Sequence, residues 1–146
     1  MLRTRTILFP TDFSSHSNQA YLHAVALAET HRASLTIAYV AAPGSDGDPD
    51  YWRGQLEQIR PANPAVAVSH TFLEGDPAGE IVNYARDAGI DLIVMGTHGR
   101  TGIERMVLGS VAEKVLRDAP CSVLVVKIPR GVPRVGRPQV ALATSR

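Results

Sequence analysis

The sequence has little of what marks secreted, membrane-spanning or metal-stabilised proteins. Cys121 is the single cysteine among 146 residues, so no internal disulfide can form, and this fits a reducing compartment. The apolar stretches fall far short of the ~20 residues that cross a bilayer. His23, His31 and His70 have no metal-ligand spacing. We therefore predict a cytoplasmic protein that binds neither a membrane nor a structural metal.

Acidic residues are absent from the end of the chain. Residues 1–127 hold 11 basic and 14 acidic residues, a net charge of −3, whereas residues 128–146 hold four arginines and no acid. An acidic body argues against a nucleic-acid-binding surface, and four dispersed arginines are not a dense basic cluster. We predict one domain over residues 1–127 and a basic C-terminal tail with proline and glycine over residues 128–146. The tail is either loose or a docked extension.

Apolar periodicity predicts five strands that alternate with four helices. The predicted strands are Thr6–Pro10, Ser34–Val40, Ala65–Leu73, Leu92–Met95 and Ser122–Lys127. Three of the predicted helices are Ser14–His31, Tyr51–Arg60 and Ser110–Asp118. The remaining one, third in chain order, begins at Pro77, with Asp76 as its N-cap, and Gly89 ends it. Strands that alternate with helices indicate an α/β fold, in which an open parallel sheet has helices on both faces.

The connection after the fourth strand, GTHGRTGIERMVLGS, is rich in glycine. Gly96, Gly99 and Gly109 would let backbone N–H groups approach a ligand closely, and Ser110 begins a helix. The first N–H groups of a helix lack intrahelical acceptors and carry the positive end of its dipole, which favours an anion. The stretch therefore has the composition of a phosphate cradle.

Structural explanations of the same residues stay open. Ser110 with Glu113 has the S-x-x-E spacing of a capping box, which would explain the serine without a ligand. Gly96 and Gly99 are also typical turn residues. His98, Arg100 and Arg105 either add positive charge beside a ligand or are solvated side chains.

The familiar nucleotide fingerprints are missing. No G-x-x-x-x-G-K-[ST] occurs, and no G-x-G-x-x-G follows the first strand, where the chain reads PTDFSS. That turn instead places Asp12 directly after a strand. Its carboxylate either accepts hydrogen bonds from a ribose or an adenine amino group, or caps the first helix.

Three stretches together resemble the universal stress proteins: ILFPTDFS, GDPAGEIVNYARDAGIDLIVMGTHGR and GIERMVLGSVAEKVLRDAPCSVLVVK. The resemblance extends from Thr6 to about Lys127. Its most specific part is G-x2-G-x9-G-[ST], formed by Gly96, Gly99, Gly109 and Ser110, which in that family marks the ATP-binding branch. It implies a Rossmann-like five-stranded parallel sheet of order 3-2-1-4-5, in which the first and fourth strands are neighbours.

The resemblance also implies an adenylate site, with Asp12 as a polar contact on the adenosine side and Mg²⁺ or Mn²⁺ bridging phosphate oxygens. The residues that it assigns to ATP, or to another adenylate, are Pro10, Asp12, Val40, Met95, Gly96, Gly99, Gly109, Ser110 and Val111. It further implies a homodimer that pairs through the strand edge Ser122–Lys127.

We therefore expect a stress-response regulatory protein that acts as a nucleotide-dependent dimeric binding module. No catalytic residue is identified, because phosphoryl transfer needs a metal clamp and a cationic stabiliser, and the chain has no P-loop lysine. A slow ATPase or phosphotransfer enzyme and a ligand-free dimeric scaffold are the alternatives. The sequence does not identify a protein partner.

Overall fold

The structure is a computed structural model that describes residues 3–44, 47–97 and 108–127. The predicted tail over residues 128–146 lies outside them, so the division of the chain into domain and tail stays a prediction. Gly99 of the predicted site and the neighbouring His98, Arg100 and Arg105 also lie outside the described residues.

Five strands and four helices alternate along the described chain. The strands are Thr6–Pro10 (β1), Ser34–Ala41 (β2), Val68–Glu74 (β3), Leu92–Gly96 (β4) and Ser122–Val126 (β5). The helices are Ser15–His31 (α1), Pro49–Glu57 (α2), Pro77–Ala88 (α3) and Ser110–Asp118 (α4). All strand pairs are parallel and the order is β3-β2-β1-β4-β5, which confirms the predicted fold.

Three predicted boundaries are wrong by two residues or more: the start of β3 and both ends of α2, which ends at Glu57 instead of Arg60. Helix α2 begins at Pro49 instead of Tyr51, since the Asp48 carboxylate accepts a hydrogen bond from the Asp50 N–H and caps the helix. Strand β3 begins at Val68 instead of Ala65, because the Asn63 side chain accepts a hydrogen bond from the Ala65 N–H in a turn.

The sheet lies between two layers of helices, and the central strand β1 supplies apolar side chains to both. Ile7 and Phe9 pack on the face covered by α1 and α2, while Leu8 packs on the face covered by α3 and α4. This alternation follows the two-residue period of a strand, so both faces of β1 are buried. Among the described residues, no helix is long and apolar enough to cross a bilayer.

Tyr21 of α1 buries a hydroxyl that has no hydrogen-bond partner within the described part of the chain. Burial also raises its pKa to about 12. Because an unpaired buried hydroxyl has lost its hydration, we expect Tyr21→Phe to raise the free energy of unfolding by about 1 kcal/mol. Urea denaturation would measure this change, and a destabilised Tyr21→Phe variant would mean that the hydroxyl has a partner in the folded protein.

Candidate functional site

A cavity of about 350 Å³ opens at the carboxyl edge of the sheet. The ends of β1, β2 and β4 form its floor, and the first turns of α3 and α4 form its wall. Strand β1 pairs with β2 on one side and with β4 on the other, so the strand order reverses at this point. Such a switch point is where open α/β sheets bind ligands.

The cavity brings together eight of the nine residues that the resemblance assigns to an adenylate. They are Pro10, Asp12, Val40, Met95, Gly96, Gly109, Ser110 and Val111. The ninth, Gly99, lies outside the described residues. The structure thus places the eight residues side by side, and their contact with a nucleotide stays a prediction.

Helix α4 begins at the cavity with its first turn uncapped by any described side chain. Gly109 is the N-cap, and its N–H donates a hydrogen bond of 2.7 Å to the Thr97 carbonyl just past β4. Ser110 is the first helical residue, one position too late for the capping box with Glu113, so that structural explanation is wrong. Within the described residues, no side chain accepts from the first N–H groups of α4, and these groups can face an anion.

Backbone conformation does not explain the glycines at this site. The described glycines with positive φ are Gly44, Gly47, Gly75 and Gly89. Gly96 and Gly109 are not among them, and Gly109 has φ −66° and ψ 160°, a region open to any residue. A turn that needs left-handed backbone is thus not the reason for glycine at either position. Both glycines line the cavity, where the absence of a Cβ leaves the backbone open to a ligand.

Asp12 does not cap α1. The N-cap is Ser14, whose hydroxyl accepts a hydrogen bond of 3.2 Å from the Ser17 N–H. The Asp12 Oδ1 atom instead accepts a hydrogen bond of 3.0 Å from the Ser14 N–H, and the Asp12 N–H donates to the Ser17 hydroxyl at 3.1 Å. These bonds fix the tight turn after β1 and keep the half-buried Asp12 at the cavity wall.

Besides the eight assigned residues, the cavity is lined by eight others that the sequence did not indicate, and three of these are buried polar residues. Thr11, Ser17 and Thr97 are the buried polar residues of the described chain, and all three line this cavity. The Thr11 hydroxyl accepts from the Phe13 N–H and the Ser17 hydroxyl from the Asp12 N–H, so these two side chains shape the turn that forms part of the cavity wall. A few placed polar groups in a mostly apolar cavity are typical of a ligand site. The signal for two of them was present, since Thr11 and Thr97 directly follow buried strands.

An ion pair links α3 and α4, two of the three helices that border the cavity. The Asp76 carboxylate accepts a hydrogen bond of 2.9 Å from the Gly79 N–H at the start of α3, and Lys114 Nζ of α4 lies 3.4 Å from Asp76 Oδ2. The Gly79 N–H, and then Lys114, hold the pKa of Asp76 below its usual value. Both groups are exposed, so we expect the pair to orient the helix starts and to add little stability.

The described residues contain no cluster of three or more histidine, cysteine, aspartate or glutamate side chains that could hold a metal ion. Asp12 is the single carboxylate among the described residues that line the cavity. A divalent cation at this site would therefore need most of its oxygen ligands from something other than these side chains.

Comparisons with known proteins agree on one family. A sequence model of the universal stress protein family matches residues 3–127. A universal stress protein of Methanocaldococcus jannaschii is 40% identical over 148 aligned positions, which cover 86% of this chain and 84% of that protein. The solved structure of UspA from Lactobacillus plantarum has a TM-score of 0.73 and 28% identity, covering 86% of this chain and 99% of that one.

A second solved structure is described as a universal stress protein in complex with cAMP. It is 27% identical to this chain with a TM-score of 0.69, and the match covers 86% of this chain and 98% of that one. The sequence match over residues 3–127, the relative at 40% identity and the shared sheet order lead to the same assignment. The chain belongs to the universal stress protein family.

Proposed function

We propose that this protein binds an adenine nucleotide, ATP or another adenylate, in the cavity at the carboxyl edge of the sheet. The observation that carries the proposal is that the ends of β1, β2 and β4 and the start of α4 bring eight predicted contact residues to one cavity. The relative whose structure is described as a complex with cAMP supports an adenylate as the ligand class. The protein would act as a nucleotide-dependent binding module in the stress response.

The composition of the cavity suits the parts of a nucleotide. Val40, Ile81 and Met95 offer apolar surface to a base, while Asp12 offers an acceptor to ribose hydroxyls or an adenine amino group. The start of α4 at Gly109, which no described side chain caps, offers N–H donors and a positive dipole end to phosphates. A volume of about 350 Å³ lies within the usual range for small-ligand pockets.

A divalent cation fits this arrangement as a companion of the nucleotide. Mg²⁺ keeps several waters and commonly binds through substrate phosphates with one or two protein oxygens. The Ser110 hydroxyl at the start of α4 is an oxygen ligand of the kind that Mg²⁺ or Mn²⁺ accepts. When bound, the cation would neutralise phosphate charge, and Ser110 would orient the phosphates relative to the helix.

The chain has no P-loop lysine, and this favours a binding module over an enzyme at the cavity. None of its described lining residues is a lysine, an arginine or a histidine. Rapid phosphoryl transfer usually needs a cationic group on the transferred phosphate and a residue that orients the nucleophile. We therefore assign no catalytic residue.

Gly109→Ala tests the placement of the phosphates. The φ and ψ of Gly109 suit alanine, so we expect the variant to fold, with a free energy of unfolding lower by up to about 1 kcal/mol because alanine is a poorer N-cap than glycine. The added methyl group would obstruct phosphate approach to the start of α4, and the affinity for ATP should fall about tenfold, equivalent to ~1.4 kcal/mol. Affinity for adenosine, which has no phosphate, should stay near the wild-type value. Calorimetric titration with ATP, with and without Mg²⁺, and with adenosine measures both effects.

Gly54→Ala is the matched control. Gly54 lies in α2, and a methyl group added there meets no atom within 4 Å, so adenylate binding should be unaffected. An unchanged ATP affinity in Gly109→Ala would contradict the phosphate placement. If the wild-type protein binds neither ATP, AMP nor cAMP, the proposed function is wrong and a ligand-free scaffold becomes the better explanation. Efficient ATP turnover by the pure protein would instead establish an enzyme.

We also propose that a second copy of the chain pairs along β5, which forms one edge of the sheet. Its sequence SVLVV is apolar, and Leu124 is 37% exposed, whereas the opposite edge strand, β3, reads VSHTFLE. An exposed apolar edge favours association with another strand.

Leu124→Asp should shift the protein from dimer to monomer in sedimentation equilibrium, and Ser69→Asp on β3 should not. A wild-type monomer at every concentration would contradict this dimer.

The cytoplasmic location stays a prediction, and no protein partner is identified.

A further inference from the structure

A group of stacked aromatic rings stands next to the cavity. This aromatic cluster consists of Phe13 from the turn after β1, Tyr39 of β2, Trp52 of α2 and Phe72 of β3. The Phe13 ring lies with its centroid 5.2 Å from that of Trp52 at 26°, and 5.1 Å from that of Tyr39 at 41°. Phe13 is the member that belongs to the same turn as Asp12.

Phe13 has a backbone conformation that its side chain does not favour. Its φ of +66° lies in the left-handed region, which is rare and costly for a bulky residue that is not glycine. Such a conformation persists only where surrounding contacts determine it, and it is found most often at ligand sites. The stacked contact with Trp52 and the tilted contact with Tyr39 can hold it.

The same conformation is part of the hydrogen-bonded turn at the cavity wall. The Phe13 N–H donates to the Thr11 hydroxyl at 3.0 Å, and the Ser14 N–H donates to Asp12 Oδ1 at 3.0 Å. The Asp12 N–H donates to the Ser17 hydroxyl at 3.1 Å. Thr11, Asp12 and Ser17 all line the cavity, whereas Phe13 does not. The ring is therefore placed to determine the wall without touching a ligand.

We propose that Phe13 is a positioning residue for the cavity: its ring, stacked on Trp52 and tilted against Tyr39, holds the left-handed turn that keeps the Asp12 carboxylate at the cavity wall. This inference rests on the proposed adenylate-binding function and adds a residue that the resemblance does not assign. It also makes Trp52, which does not line the cavity, a second residue on which ligand affinity depends.

Adenosine binding to four variants tests the proposal. Phe13→Leu keeps an apolar side chain without a ring, and Trp52→Leu removes the stacking partner from the other side. Each should weaken adenosine binding about tenfold, since an aromatic pair contributes on the order of one decade. Phe13→Tyr, which keeps the ring, should bind as the wild type does. Tyr51→Leu, next to Trp52 in α2 and 56% exposed, is the matched control and should also bind normally.

The coupling between residues separates positioning from general loss of packing. If Phe13 acts through Asp12, the double variant Phe13→Leu/Asp12→Ala should bind adenosine no more weakly than Asp12→Ala alone. Fully additive losses would overturn the proposal. A Phe13→Leu variant that binds adenosine as tightly as the wild type would also overturn the proposal. If the wild type binds ATP in that experiment, the proposed function itself would stand.

Amide hydrogen exchange on the ligand-free protein gives a readout that needs no binding. In Phe13→Leu the amides of Asp12, Phe13 and Ser14 should exchange about tenfold faster, because they donate the three hydrogen bonds of the turn. The Ile90 amide, which donates to the Ala85 carbonyl far from this turn, should be unchanged. If the wild type binds no adenylate, the proposed function is wrong. Hydrogen exchange then still tests whether Phe13 holds the turn. Unchanged exchange at the turn would overturn the positioning role.

Discussion

Phe9→Ala is expected to lower the free energy of unfolding by about 3–5 kcal/mol. Phe9 lies on β1, whose two neighbours are β2 and β4, and only 1% of its surface is exposed. Its ring packs against Tyr21 of α1, with centroids 5.5 Å apart. Truncation removes a large apolar side chain from between the sheet and α1, and close-packed neighbours cannot fill the cavity that remains.

A loss of this size is a large part of the total stability of a domain, which is typically about 5–15 kcal/mol. Urea denaturation followed by circular dichroism would measure it. Tyr51→Ala is the control, because it truncates an aromatic side chain that is 56% exposed and should cost well under about 1 kcal/mol. Similar losses for both variants would contradict the burial of Phe9 at the centre of the fold.

Asp12→Ala is expected to weaken adenylate binding by about 10- to 100-fold, because a hydrogen bond to a charged group contributes about 1.5–3 kcal/mol. The substitution removes the carboxylate at the cavity wall and also the acceptor for the Ser14 N–H. Both changes act on the adenosine side, so ATP and adenosine should be affected to a similar degree. Gly109→Ala, by contrast, should affect ATP alone.

Asp12→Asn separates the two roles of this side chain. Its amide oxygen can still accept from the Ser14 N–H, so the turn should persist while the negative charge is lost. We expect an affinity between those of the wild type and Asp12→Ala, measured by calorimetric titration with adenosine and ATP. If Asp12→Ala binds both ligands with wild-type affinity, Asp12 does not contact the nucleotide and the adenosine end lies elsewhere in the cavity.

The elements that the sequence predicts most accurately have strong local signals. Helix α4 has its predicted bounds, and α3 starts after Asp76 and ends before Gly89 as predicted, because proline and glycine at these ends restrict or permit specific backbone angles. The start of α2 is misplaced because the signal lies in one side-chain bond to Asp48. Periodicity does not detect such bonds.

The candidate site was predictable to the extent that its residues directly follow strands. Asp12 follows β1, and Gly96 ends β4, so both could be assigned to the carboxyl edge from the chain alone. The role of Ser110 could not be decided, because S-x-x-E fits either a cap or a helix start that faces a ligand. In the structure Gly109 is the N-cap and its carbonyl accepts from the Glu113 N–H, which makes Ser110 the first helical residue.

The sequence by itself determined the alternation of strands and helices, the family, and the two chain segments that carry the candidate site. These depend on interactions between residues close in the chain, for which composition and spacing are sufficient evidence. The tertiary structure alone decided that Thr11, Ser17 and Thr97 share one cavity, and that Phe13 stacks on Trp52 across 39 positions of sequence. Contacts of that kind exist only once the sheet has brought distant segments together, since no local pattern encodes which side chains will then meet.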